Sequence, residues 1–203
     1  KLQAGLGNLV SAIKYFKNNM VDLRIALVSA ITAMTGAWIG TKIIFLLPEE
    51  SIQKAITVAL PVIALIMVLR KTDARNVIMR SEISKKTVVQ ALIMGFYNSL
   101  FGPGIGTVAI IAFTMIMHYD ARCASGNGKV LIVLTNAIAL VSYVKTGNVA
   151  YEIACPAAIC AIAGNLVGVN LAIRKGEKII KPVMLVVVIL TVIKFAWQNH
   201  LWG

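Results

Sequence analysis

The 203 residues are 59% hydrophobic and only 14% charged, with a mean hydropathy of +0.83, which excludes an ordinary water-soluble domain. The net charge of +12 is not a nucleic-acid footprint, because Lys and Arg lie between apolar runs rather than on one surface beside aromatic or polar readers. Such residues retain loops on the cytoplasmic side of a bilayer.

In chain order, apolar runs bounded by charge predict helices over 1–17, 22–47 and 52–69, then a basic stretch. A broken hairpin over 87–118 and helices over 129–145, 149–173 and 177–197 follow. The fold class is all-α, a polytopic helical bundle embedded in the lipid bilayer. Cys123, Cys155 and Cys160 form no metal-ligand or CxxC spacing and read as reduced packing residues. The only histidines, His118 and His200, fall at helix ends, so neither a His-based metal site nor a catalytic triad is expected. No cofactor motif is present either.

Sliding the chain against itself by 128 residues aligns 1–70 with 129–198 without a gap, with 16 of the 70 pairs identical. Matched pairs include Lys1 with Lys129, Asn8 with Asn136, Tyr15 with Tyr143, Glu49 with Glu177, and Gly36 and Gly40 with Gly164 and Gly168. The domains are therefore a first repeat over 1–70, a basic cytoplasmic linker over 71–86 and a second repeat over 87–203. The first repeat lacks a counterpart of 87–128, so about 42 residues are expected upstream. The chain opens on Lys1 with no signal-peptide pattern, and a longer parent is the expected explanation.

The stretch 70–86 carries a net +4, and the loop with Arg174, Lys175, Lys178 and Lys181 is also strongly basic. Placing both inside leaves the Glu49 loop outside, although Glu49 and Glu177 are repeat partners. The units are then inverted, as in many secondary transporters. Inversion requires 87–118 to begin and end on one side, and its 32 residues are too few for two spans of ~20 residues each. A re-entrant pair of half-helices is expected, broken at Phe101-Gly102-Pro103-Gly104-Ile105-Gly106.

Beyond that break, the N–H groups of Gly104, Ile105, Gly106 and Thr107 open a half-helix whose dipole suits an anion. A Gly-Pro-Gly run that merely turns the hairpin is the plainer reading. All eight acids sit at loops or helix ends, which argues against a cation substrate. Lys1 and Lys129 read as opening equivalent helices, with Asn8 and Asn136 two turns along on the same face. They either flank a small anion or serve as snorkelling lysines and interhelical amides. Thr135 and Asn98 are further candidates. The Gly36/Gly40 and Gly164/Gly168 pairs read as close-packing faces.

Lys1-Leu2-Gln3-Ala4, the stretch from Gly95 to Thr107, and Lys129 with Thr135-Asn136 together resemble the TauE/SafE family of sulfite exporters over essentially the whole chain. The resemblance implies a multi-pass secondary transporter of the bacterial inner membrane that moves sulfite, organosulfonates or related small anions. It also implies that the glycine-rich hairpins of both repeats lie near the substrate. Two features depart from the family pattern: the first hairpin is absent from these residues, and Asn98 stands where relatives often have Asp. The alternatives are a non-transporting assembly subunit or a membrane-enzyme partner, and a homo-oligomer is left open.

Inverted topology makes a direct prediction. In intact cells, an impermeant thiol reagent should label Glu49→Cys but not Glu177→Cys; labelling of both from one face would falsify the inversion.

Overall fold

A computed structural model describes residues 1–48, 51, 83–100, 102, 104–147 and 149–176, together with 178–180, 182, 183, 186, 189, 190, 193 and 197. The expected helix over 52–69, most of the basic linker, and Glu49, Phe101, Pro103 and Glu177 lie outside the described residues. Among the described residues the bundle is built on α1 Leu2–Lys17, α2 Leu23–Ile44, α3 Lys85–Leu100, α4 Ile105–Met117, α5 Ala121–Lys145 and α6 Tyr151–Lys175. Of these, α2, α5 and α6 are long and apolar enough to cross a membrane, with 22, 25 and 25 residues.

Helix starts follow from capping. The carboxylate of Asp22 accepts the Ile25 N–H at 3.3 Å, and that of Asp120 accepts the Cys123 N–H at 2.9 Å. The second cap corrects the expected start at Lys129: α5 begins eight residues earlier, at Ala121. Ser125-Gly126-Asn127-Gly128 has the composition of a turn, yet packing holds it helical. A Cβ on Gly126 would run into the Met20 carbonyl, and one on Gly128 would lie 2.8 Å from the Ala109 side chain. The missing side chains admit neighbouring backbones, and this outweighs the helix propensity lost at glycine.

The repeat-equivalent helices α1 and α5 pack antiparallel. Gly5 lies beside Asn136, whereas Met20, beyond the other end of α1, meets Gly126 near the start of α5. Each also packs on the other unit's second helix, α1 on α6 and α5 on α2. At one end of the bundle, Tyr119 in the α4–α5 connection donates its hydroxyl to Asp22 at 3.0 Å, tying that connection to the α1–α2 turn. Burial and then the neighbouring Asp22 carboxylate push this phenol well above its ordinary range. At the other end, the Phe45 and Tyr143 rings meet edge-on at 5.3 Å.

The helices α3 and α4 form a hairpin that returns to its starting level: the Thr87 hydroxyl donates to the Met117 sulfur at 3.8 Å. The hairpin is pressed against α2 almost backbone to backbone. A Cβ on Gly36 would strike the Leu92 carbonyl, and one on Gly95 would strike the Ala33 carbonyl. Side-chain oxygens fasten the contact, with Ser99 Oγ donating to the Ala37 carbonyl at 2.7 Å and lying 2.9 Å from Thr41 Oγ1. Overpacking of a fitted interface costs about 1–3 kcal/mol. Gly95→Ala should therefore lower the unfolding temperature in detergent by several degrees. Gly106→Ala meets nothing within 4 Å among the described residues and should leave it unchanged, as thermal unfolding of both variants would show.

Candidate functional site

Polar side chains buried in an apolar bundle must hydrogen-bond to one another or to backbone. Several of them form two clusters, one at the C-terminal end of α3 and one between α1, α5 and α6. The break lies between Leu100 and Ile105, with Gly102 and Gly104 both in the left-handed region at φ +71° and +78°. Only glycine adopts that conformation freely. Gly104 caps α4, and its carbonyl accepts the Val108 N–H at 3.0 Å. Ile105 and Thr107 are buried, while Gly106 faces open space among the described residues. Any side chain at Gly104 is strained by its backbone, so Gly106 alone gives a clean probe of what occupies the space beside α4.

The first cluster sits at the C-terminal end of α3. Asn98 is buried and donates Nδ2 to Thr135 Oγ1 at 2.7 Å and to Asn136 Oδ1 at 3.4 Å. Lys1 Nζ donates to the Asn98 main-chain carbonyl, where the negative end of a helix dipole favours a cation. The second cluster lies two to three turns along α1. Lys129 Nζ donates to Asn8 Oδ1 at 2.6 Å and to Asn165 Oδ1 at 3.4 Å, and Ser11 Oγ donates to the same Asn165 oxygen at 2.9 Å. A cavity of about 320 Å³ opens here, lined by Ser11, Tyr15, Lys129, Gly164, Asn165 and Gly168 among others.

These positions revise the expectations in two ways. Lys129 lies inside α5 rather than at its start, and it bonds across to α1 and α6 rather than to the N-terminus of α4. The lysine beside the break is Lys1, at the carbonyl end of α3. Lys129 and Asn136, although seven residues apart on one helix, thus serve different clusters. Asn165 and Ser11 were not anticipated. An amide amid the apolar residues of α6 is itself a signal, since side-chain amides in spans usually bridge helices.

Neither lysine is ion-paired with a carboxylate among the described residues; the oxygens that Lys1 and Lys129 engage are all neutral. The described acids cap or begin helices, as Asp22, Asp120 and Glu152 do. No group of three His, Cys, Asp or Glu side chains among the described residues could hold a metal. Lys1 on a main-chain carbonyl and Lys129 on two amide oxygens make a hydrogen-bonding interior among the described residues.

Apolar helices long enough to span and a polar interior between them define a multi-pass membrane transporter. The chain belongs to the family described as "Sulfite exporter TauE/SafE", which matches residues 1–195. It is 26% identical over 196 residues to a "Probable membrane transporter protein ORF9" of a Sinorhizobium species, covering 96% of this chain and 75% of that protein. It is 21% identical over 201 residues to the "Probable membrane transporter protein YfcA" of Escherichia coli K12, with 98% and 75% covered. A "Probable membrane transporter protein" of Haemophilus influenzae is also 21% identical, over 200 residues, with 98% and 78% covered. No solved structure matches. The family's description and the relatives' names indicate a membrane transporter, not an enzyme.

Asn98 joins α3 to α5, and its loss would strand buried partners at about 1–3 kcal/mol. Asn98→Ala should lower the unfolding temperature measurably, whereas Asn98→Asp should recover part of the loss if its carboxyl accepts from Thr135. Equal thermal stability of parent and Asn98→Ala would show that the bond contributes nothing.

Proposed function

We propose that the protein is a secondary transporter of the bacterial inner membrane for a small, sulfur-containing oxyanion of the sulfite or organosulfonate class. It works by alternating access of two inverted units. The observation that carries this reading is the pair of lysines, Lys1 and Lys129, held among neutral amides and hydroxyls with no carboxylate partner among the described residues. A cation site needs the opposite arrangement, with inward acids.

Supporting it are the glycine-capped start of α4, whose dipole favours an anion, and the antiparallel packing of the repeat-equivalent helices α1 and α5. In this reading the anion sits beside Gly106, Thr107 and Ile105. Thr135, Asn136 and Asn98 form one wall, and Lys129 with Asn8 lies on the other. Gly102, Pro103 and Gly104 shape the break, and Lys1 holds its carbonyl end. Ammonium and amide donors replace the water lost by the anion. The sulfur class comes from the family's description.

Uptake of labelled sulfite into proteoliposomes of the full-length protein tests this. Gly106→Val should abolish flux while the protein remains folded in the membrane, because the added side chain enters open space. Lys129→Ala should weaken apparent sulfite affinity by about 1–3 kcal/mol, the scale of hydrogen bonds to charged groups. Parent-like flux in both variants would remove the anion from this site and return the hairpin to a structural role.

A further inference from the structure

The two amides that hold Lys129 are fixed in orientation by their own helices. Asn8 Nδ2 donates to the Ala4 carbonyl one turn back at 2.7 Å, and Asn165 Nδ2 donates to the Ala161 carbonyl at 2.8 Å. Each amide therefore presents its oxygen to Lys129. Turned over, it would set two acceptors together on its own helix and direct donors at the lysine. Packing closes in the second amide as well. A Cβ on Gly7 would run into the Asn165 amide nitrogen and lie 3.0 Å from the Ala161 carbonyl oxygen, so the amide fills the space that a side chain on α1 would need.

Oxygens presented in this way suit a lysine and are the wrong end of an amide for an anion. The anion of the proposed function lies beside the start of α4, whereas these bonds draw Lys129 Nζ towards α1 and α6. An ammonium carries three N–H donors, and the amides engage two of them, so every bond to an amide competes with the anion for the same group. The repeat-equivalent place is built differently. The partner of Asn165 is Ala37 and that of Ser11 is Ala139, and the partner lysine, Lys1, donates to a main-chain carbonyl instead. Among the described residues the amide tether from α6 thus serves Lys129 and not Lys1.

We infer that Asn165 is a positioning residue that holds Lys129 back from the anion site, so that anion affinity is set by the release of this bond. An arriving anion takes Lys129 from Asn165. Ser11 donates to the same Asn165 oxygen at 2.9 Å, and sharing that acceptor keeps the lysine bond long, at 3.4 Å, and easily broken. The inference rests on the anion-binding reading proposed above and adds to it a residue that opposes binding.

Methanesulfonate binding to the purified full-length protein tests it, read as the concentration giving half of the saturable thermal stabilisation rather than as the unfolding temperature itself. Asn165→Leu removes the acceptor at similar volume, and the half-saturating concentration should fall about threefold to tenfold, the range spanned by one competing hydrogen bond. Asn165→Asp offers Lys129 a carboxylate and should raise that concentration. Ser11→Ala leaves the Asn165 oxygen to Lys129 alone and should also raise it, which decides the matter if Asn165→Leu does not fold. An Asn165 that only braces the helices would weaken binding, or leave it unchanged, in the Leu and Asp variants alike. Either of those results, or tighter binding in Ser11→Ala, overturns the inference while the parent still binds methanesulfonate and Lys129→Ala does not. A parent that responds to neither methanesulfonate nor sulfite, or a Lys129→Ala protein that binds as the parent does, removes the anion-binding reading itself and this inference with it.

Discussion

A helix broken inside a bilayer must have its freed backbone groups covered by protein, because lipid offers them no hydrogen-bond partner. The seat of α3 on α2 meets that requirement, and the rest of the bundle is arranged around it. Gly36, Gly40 and Gly95 let the two backbones close up, and Ser99 and Thr41 then fasten them with hydroxyl bonds. With α3 fixed, the break at Gly102 and Gly104 is held at the depth of Asn98, Thr135 and Asn136, where α5 supplies its polar partners. Hydrophobic burial gives little orientation here, since lipid tails are as apolar as the side chains they meet; close contact and polar bonds give it instead.

That arrangement also brings two lysine side chains into the interior with no carboxylate among the described residues paired to either. Lys1 faces the carbonyl end of α3, and Lys129 faces amides from α1 and α6. A cation in such surroundings is costly unless some other negative charge accompanies it. In the proposed function, an anionic cargo would supply that charge.

Much of this fold is legible in the residues. Helices α1 and α2 begin within a residue of where charge and hydropathy place them, and the hairpin break falls in the Gly-Pro-Gly run. The start of α5 is not legible in the same way: the repeat match to Lys1 places it at Lys129, whereas Asp120 caps a helix that runs through Ser125 to Gly128, packed against Met20 and Ala109. Lys129 therefore lies in a helix interior, where it bonds to Asn8 and Asn165. Asn165 escaped notice for a different reason: its repeat partner is Ala37, so a search for polar residues shared by both units passes over it. The pairing of Ser11 with Asn165 depends on the crossing of α1 over α6, which no spacing within either helix reveals.

In the proposed function the polar interior selects an anion. Thermal unfolding of purified full-length protein against a panel of sulfite, an alkylsulfonate, sulfate and thiosulfate, with sodium and potassium varied separately, tests it most directly. A ligand that binds the folded state raises its unfolding temperature with concentration. The account expects a saturable rise with sulfite or the sulfonate that is lost in Lys129→Ala, and no comparable effect of either cation. Stabilisation by a cation that is indifferent to the anion and survives in Lys129→Ala would contradict it.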